Sequence, residues 1–288
     1  MTGAEEGWLS GHDGVRLRYT ALGAGAPVLL LHGFPDLRTT WRPQLPALAA
    51  AGFRAVAVDL RGYGDSDRPR AVADYRMDVL VADVVALGHA LGGRVRLVGH
   101  DWGGVIAWHA AARHPALVER LVVLNAPHPA RFARELRKPA QLLRSWYAAF
   151  FQLPWLPERL IAARRGALVR AALARATRRG AFTPDELRAY GEALSSPAAA
   201  RAAIAYYRAA MRGPRRAVQP DGGHPPTRVE RPALLVWGMR DPALRPDLTE
   251  GLERWVPDLR IARLADAGHW VHRDAPDRVN VLLTEFLV

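Results

Sequence analysis

The stretch Arg94-Val95-Arg96-Leu97-Val98-Gly99-His100-Asp101-Trp102-Gly103-Gly104 restricts the fold of this chain more than any other. An apolar strand runs into Gly-x-Asp-x-Gly, and a helical pattern carried by Val105, Ile106, Trp108, Ala111 and Ala112 follows. Strand, glycine-flanked turn and helix in that order form the layout of a nucleophile elbow, a strained turn that holds one side chain above the end of a sheet. The usual occupant of such a turn is serine, and here it is Asp101. The simpler reading of Asp101 is a cap for the following helix. The remainder of the chain decides between the two.

The surrounding segments alternate between strand-like and helix-like patterns, as expected of an α/β fold with a mostly parallel sheet. Val15 to Tyr19, Pro27 to Leu31, Phe53 to Asp59 and Val95 to Val98 read as strands, as do Leu121 to Leu124, Ala233 to Trp237 and Arg260 to Leu264. Several are continuous apolar runs, the pattern of strands buried on both faces. Helices are predicted over Asp78 to Leu91, Val105 to Arg113 and Arg278 to Leu287.

Between Pro129 and about Gln219 the alternation stops. That segment is rich in Ala, Leu and Arg and reads as helices interrupted by Pro154, Pro157, Pro184, Pro197 and Pro214. Thr183-Pro184-Asp185-Glu186 has the form of a capping box with proline at the first helical position. Pro220 to Pro226 then returns the chain to the sheet. The expected organisation is a core domain of residues 1–128 and 219–288, with a helical cap of residues 129–218 inserted between strands.

Composition narrows the chemistry. The 288 residues include no cysteine, which removes disulfides, thiolate metal sites and a cysteine nucleophile. The acidic first residues do not form a secretory leader, and no apolar run reaches the ~18 residues that span a bilayer. A cytoplasmic location with no membrane partner is the expectation. The formal charge of +12 is concentrated in residues 131–218, where 18 Arg or Lys face 5 Asp or Glu, and Lys138 is the only lysine. No nucleic-acid motif accompanies this charge, so a solvated helical surface is expected there rather than a nucleic-acid partner.

Two later segments complete a constellation. Leu234-Leu235-Val236-Trp237-Gly238-Met239-Arg240-Asp241 is a strand that ends in an acidic loop, and Ala267-Gly268-His269-Trp270 puts a histidine in the loop after the last strand. Asp101, Asp241 and His269 thus follow the order nucleophile, acid, histidine. Leu31-His32-Gly33-Phe34-Pro35-Asp36, after an early strand, is the expected oxyanion loop. The backbone N–H groups of Phe34 and Trp102 are the expected donors, and Phe34-Pro35 is a candidate cis bond. His32 competes with His269 as base, although a structural role suits His32 better, and His100 likewise.

An aspartate in this position has a chemical consequence. Serine attacking a saturated carbon would form an ether that is hard to cleave. A carboxylate forms an ester, which water can hydrolyse at the carboxylate's own carbon. The substrates that fit carry an electrophilic sp³ carbon, as in epoxides and alkyl halides.

The chain resembles the epoxide hydrolases of the α/β-hydrolase superfamily. The likeness rests on His32-Gly33-Phe34-Pro35, Asp59-Leu60-Arg61-Gly62-Tyr63-Gly64-Asp65-Ser66, the elbow, Asp241, His269 and the helical insertion. It implies an α/β-hydrolase fold and cofactor-independent conversion of a small-molecule epoxide to a diol, with no metal or organic cofactor. It also implies two cap tyrosines that protonate the epoxide oxygen. Tyr147, in Ser145-Trp146-Tyr147-Ala148-Ala149-Phe150-Phe151-Gln152, matches the first, and Tyr207, in Ala205-Tyr206-Tyr207-Arg208, matches the second, with Tyr206 one residue away. Trp146, Phe150, Phe151, Trp155 and Met211 are candidate pocket-lining residues, with ordinary cap packing as the alternative.

Two other functions remain open at this point. Haloalkane dehalogenases resemble the chain in Trp102 but typically have Asn where Phe34 stands. Fluoroacetate dehalogenases typically have Arg where Trp102 stands. A non-catalytic ligand-binding protein on a hydrolase scaffold would need neither Asp241 nor His269. Substrate identity and oligomeric state are not readable from the residues.

Overall fold

Alternate residues of the central strands divide between two hydrophobic layers, one on each face of the sheet. In strand β3 (Ala26–Leu31), Leu29 and Leu31 join a layer with Ile106 and Trp108, while Val28 and Leu30 join one with Trp41 and Phe286. The period of two produces this division, because successive strand side chains point to opposite faces. The computed structural model describes residues 3–136, 138–212 and 228–288.

Strands β1 (Glu5–Ser10), β2 (Arg16–Leu22) and β3 are followed by helix α1 (Gln44–Ala50) and strand β4 (Phe53–Val58). Helix α2 (Met77–Ala90), strand β5 (Val95–His100), helix α3 (Trp102–Arg113) and strand β6 (Val118–Leu124) continue the alternation. After the helical insertion come β7 (Ala233–Gly238), β8 (Leu259–Leu264) and the two closing helices α10 (Val271–Asp274) and α11 (Pro276–Leu287). The sheet has eight strands in the order β1-β2-β4-β3-β5-β6-β7-β8. β1–β2 and β2–β4 are antiparallel and every other pair is parallel. The α/β-hydrolase fold expected from the sequence is present. β1 is not apparent in the sequence because Trp8 and Leu9 are its only large apolar residues and most of it is exposed, and its strand form depends on pairing with β2.

Among the described residues six helical segments lie between β6 and β7: α4 (Pro129–Glu135), α5 (Pro139–Arg144), α6 (Trp146–Phe150), α7 (Leu156–Ala176, broken at 163–166), α8 (Pro184–Ala193) and α9 (Pro197–Arg212). Pro184 and Pro197 open helices instead of breaking them, since proline's fixed φ and missing N–H suit the first turn. The Thr183 hydroxyl accepts the Glu186 N–H at 3.2 Å and the Glu186 carboxylate accepts the Thr183 N–H at 2.8 Å, the expected reciprocal cap. Pro214 and the Pro220 to Pro226 stretch lie outside the described residues, as does the end of the insertion. No helix among the described residues is long and apolar enough to cross a membrane.

Candidate active site

Asp101 occupies the junction between β5 and α3 with φ +49° and ψ −121°, a backbone state that costs on the order of 1–3 kcal/mol for a non-glycine residue. Its side chain makes no capping bond to α3, so the helix-cap reading does not hold. It turns instead toward the oxyanion loop, where Oδ1 accepts the Phe34 N–H at 2.8 Å. Loop and elbow touch only because two positions lack a side chain. A Cβ on Gly33 would lie 2.4 Å from the Asp101 Cβ, and one on Gly103 would lie 2.3 Å from the Leu31 carbonyl oxygen. The Phe34–Pro35 bond is cis, as expected. The Trp102 N–H belongs to the first turn of α3, where backbone donors have no partner within the helix.

His269 lies between the two aspartates. Its Nδ1 is 2.6 Å from Asp241 Oδ2, and its Nε2 is 3.6 Å from Asp101 Oδ2. Asp241, at the end of β7, also accepts the Ala243 and Leu244 N–H groups on Oδ1 at 2.8 and 2.9 Å, and the Asn125 side-chain amide on Oδ2 at 2.7 Å. Burial opposes ionisation of this carboxylate, but the His269 charge and these donors outweigh it and hold the pKa below the ordinary range. Burial also works against Asp101, where the contacts with His269 and the Phe34 N–H likewise hold the carboxyl below its usual value. His269 itself is pulled down by burial, yet the Asp241 charge and its bonds to both carboxylates push it up to about 10.

His32 is removed as a competing base by its hydrogen bonds. Its Nε2 accepts the Leu60 N–H at 3.0 Å, so Nδ1 carries the proton and donates to the Gly33 carbonyl at 2.9 Å. Burial lowers its pKa and keeps it neutral. His100 bonds the His269 carbonyl through Nε2 at 3.0 Å and so braces the loop that carries His269.

Tyr147 on α6 and Tyr207 on α9 meet edge to face, with ring centroids 5.8 Å apart. Tyr207 also packs on Phe34 at 5.4 Å and on Trp102 at 5.0 Å, which puts it over the oxyanion loop and the elbow. Burial is the main reason that both phenols hold their protons above the normal range, and the Asp101 charge adds to it. Each is therefore a neutral donor at physiological pH. Tyr206 faces elsewhere: its hydroxyl donates to the Arg61 carbonyl at 2.9 Å, and its ring lies among Tyr63 and Tyr75.

Of the candidate pocket residues, Phe151 is buried and packs on both Phe34 and Tyr207, at 5.4 and 5.1 Å. Phe150 is half-buried beside it. Trp146, Trp155 and Met211 are a different case, at 65%, 60% and 56% exposed. Their described contacts are with Phe150, Arg159 and Gln152, on the outside of the insertion. None of their described ring contacts is with Phe34, Phe151 or Tyr207.

Two positioning residues escaped the sequence reading. Asn125 follows β6 with φ +40° and spans Asp241 and the Gly238 backbone, accepting the Gly238 N–H at 2.8 Å. Arg208, next to Tyr207, donates to the Phe151 and Leu153 carbonyls at 2.8 and 2.7 Å and pairs with buried Glu158 at 2.5 Å. It thereby ties the helix of Tyr207 to the chain just after the helix of Tyr147. Asp36, His100 and His272 bring one ligand atom each to within 4.8 Å of one another, close enough to hold a metal ion. Their described hydrogen bonds join the loops instead: Trp270 Nε1 donates to Asp36 at 3.2 Å, and His272 Nε2 bonds Thr40 Oγ1 at 2.8 Å.

The family described as alpha/beta hydrolase fold matches residues 26–276. Human Epoxide hydrolase 4 is 38% identical over 285 residues, which cover 96% of this chain and 76% of that protein. AB hydrolase superfamily protein YfhM of Bacillus subtilis is 34% identical over 280 residues, covering 96% of this chain and 95% of that protein. Among solved structures, a mutant epoxide hydrolase from Bacillus megaterium, complexed with a naphthyloxy-propanediol product, superposes with a TM-score of 0.86 at 31% identity. That match covers 98% of this chain and 99% of the other.

Proposed function

This chain belongs to the epoxide hydrolases of the α/β-hydrolase family, and we propose that it opens a small-molecule epoxide through an ester formed on Asp101. The observation that carries this reading is the division of labour between the two Asp101 oxygens. Oδ1 is held by the Phe34 N–H, while Oδ2 faces His269 Nε2 at 3.6 Å, which leaves it available to attack.

In the first half-reaction Oδ2 attacks an epoxide carbon and the ring C–O bond breaks. Tyr147 and Tyr207 donate to the departing oxygen, a task for which a neutral phenol is suited because its proton is accepted more strongly as that oxygen gains alkoxide character. The proton is replenished from solvent, and a hydroxyalkyl ester remains on Asp101. In the second half His269, oriented by Asp241, takes a proton from water, which attacks Asp101 Cγ. Charge then develops on Oδ1, the atom already placed on the Phe34 N–H, and the Trp102 N–H is the second donor. Collapse expels the diol oxygen, which takes the proton from His269, and Asp101, now carrying one oxygen from water, releases its remaining proton to solvent to restore the carboxylate.

Esterification also changes the base. The raised pKa of His269 depends in part on the Asp101 charge. Once that charge is consumed, the imidazole releases its proton more readily and can act on water. A panel of terminal and aryl epoxides against haloalkanes tests the reading. Vicinal diol from the epoxides is expected. Halide release with no diol would assign the site to dehalogenation, and tight binding without turnover, unchanged by Asp101→Ala, would make it a receptor.

A further inference from the structure

The outer face of α6 and the start of α7 expose apolar side chains where a soluble surface would hide them. Trp146, Leu153, Trp155, Leu156 and Leu160 are all exposed within a segment of fifteen residues. Isolated exposed apolar residues need no explanation, but a cluster of this density does. Trp155 adds a second observation. It sits in a left-handed conformation at φ +49°, a state that disfavours side chains, yet its ring remains outside the core.

The charges around this face have one sign. Arg144, Arg159, Arg164 and Arg165 are exposed, and Arg159 lies over the Trp155 ring at 5.1 Å. From Pro139 to Arg165 there is a single acidic residue, Glu158, which is buried and neutralised by Arg208. Outward-facing cations beside tryptophan and leucine are the combination that enters the headgroup region of a bilayer, with rings at the interface and guanidinium groups on phosphate. The sign also argues against a second copy of the chain, because a two-fold contact would set four arginines against four more. Single-stranded nucleic acid would use the tryptophans for stacking but has no use for three exposed leucines.

We propose that this face of the cap docks the enzyme peripherally on anionic phospholipid membranes. No span is involved, and the contact is reversible and sensitive to salt. The placement matters because α6 carries Trp146 on its outside and Tyr147 on its inside, so docking would set the membrane one helix away from the tyrosine pair.

The test is co-sedimentation of the full chain with vesicles of phosphatidylcholine alone and of an equal mixture with phosphatidylglycerol. Two variants accompany it: Arg144→Ala with Arg159→Ala, and Trp155→Gly with Leu160→Ser, in which glycine accepts the left-handed backbone. Both should keep wild-type turnover of a water-soluble epoxide. The expected result is binding to the mixed vesicles that high salt abolishes, weakened about 10- to 30-fold by loss of the two arginines and also reduced by loss of the apolar pair. Absence of binding to the mixed vesicles, equal binding to neutral ones, or undiminished binding by both variants would overturn the proposal. So would tighter retention on DNA than on vesicles at the same salt, or a dimer of the free protein that the variants abolish. Because sedimentation reads no turnover, failure here would leave the epoxide hydrolase reading intact.

Discussion

Phe34 donates its backbone N–H to Asp101 Oδ1 at 2.8 Å before any substrate arrives, so in the proposed mechanism the oxygen that would later bear negative charge already sits on its donor. Preorganised donors of this kind need no rearrangement at the moment of reaction. The same bond leaves Oδ2 as the attacking atom of the proposed route. Asp101→Asn should keep the Phe34 contact and the fold while removing the nucleophile. A loss of at least about 10⁴-fold in kcat/KM is expected, with an unchanged circular dichroism spectrum. Activity within tenfold of wild type would mean that Asp101 is not the nucleophile.

The pH behaviour of His269 follows from its two carboxylate neighbours. Its pKa is raised to about 10 in the folded protein, above the ~6.5 of an unperturbed imidazole. The stabilisation from its pairing is therefore complete below the unfolded value and is lost as pH rises through about 10. Asp101→Asn removes one of the partners, so the imidazole should titrate at lower pH than in wild type. Histidine NMR titration of both proteins checks this, and equal midpoints would show that the Asp101 charge does not reach the ring.

Removing either phenol should slow ester formation rather than ester hydrolysis. Tyr147→Phe and Tyr207→Phe should each lower the alkylation rate about 10- to 100-fold, and the double variant by about 10⁴-fold. Pre-steady-state kinetics separates the two steps. Tyr206→Phe serves as control, because its hydroxyl bonds the Arg61 carbonyl away from Asp101. That variant should lose stability without a selective effect on alkylation.

Arg208 makes the spacing of the tyrosines depend on a buried ion pair. Arg208→Met would leave Glu158 buried and unpaired, a cost of about 3–5 kcal/mol. A lower Tm and a slower alkylation step are expected. Adding Glu158→Gln should recover much of the Tm but not the rate, since the bonds to the Phe151 and Leu153 carbonyls stay broken. Full recovery of both would confine Arg208 to a purely structural role.

The elbow was legible in the sequence because its geometry demands glycines at fixed offsets from Asp101. Steric need of that kind is local. Asn125 was not legible, because it supports Asp241 from 116 positions away and its neighbours give no sign of the contact. Tyr206 and Tyr207 are adjacent on α9 and about 100° apart around it, so their common residue type could not say which one faces Asp101. The aromatic residues of α6 posed the same difficulty more sharply. A helix of five residues has too little periodicity to separate an inner face from an outer one, so the sequence leaves Trp146 open between pocket lining and cap packing, and in the structure it is exposed. β1 was missed because edge pairing, not apolar content, makes it a strand.

The covalent route through Asp101 is tested most directly by a single turnover in heavy-oxygen water, with enzyme in excess over epoxide, followed by mass spectrometry of the peptide containing Asp101. Ester hydrolysis at Asp101 Cγ transfers one water oxygen to the carboxylate, so the expected result is label in Asp101 and an unlabelled first diol. Label in the diol with none in Asp101 would mean that water attacks the epoxide directly, and it would contradict the account.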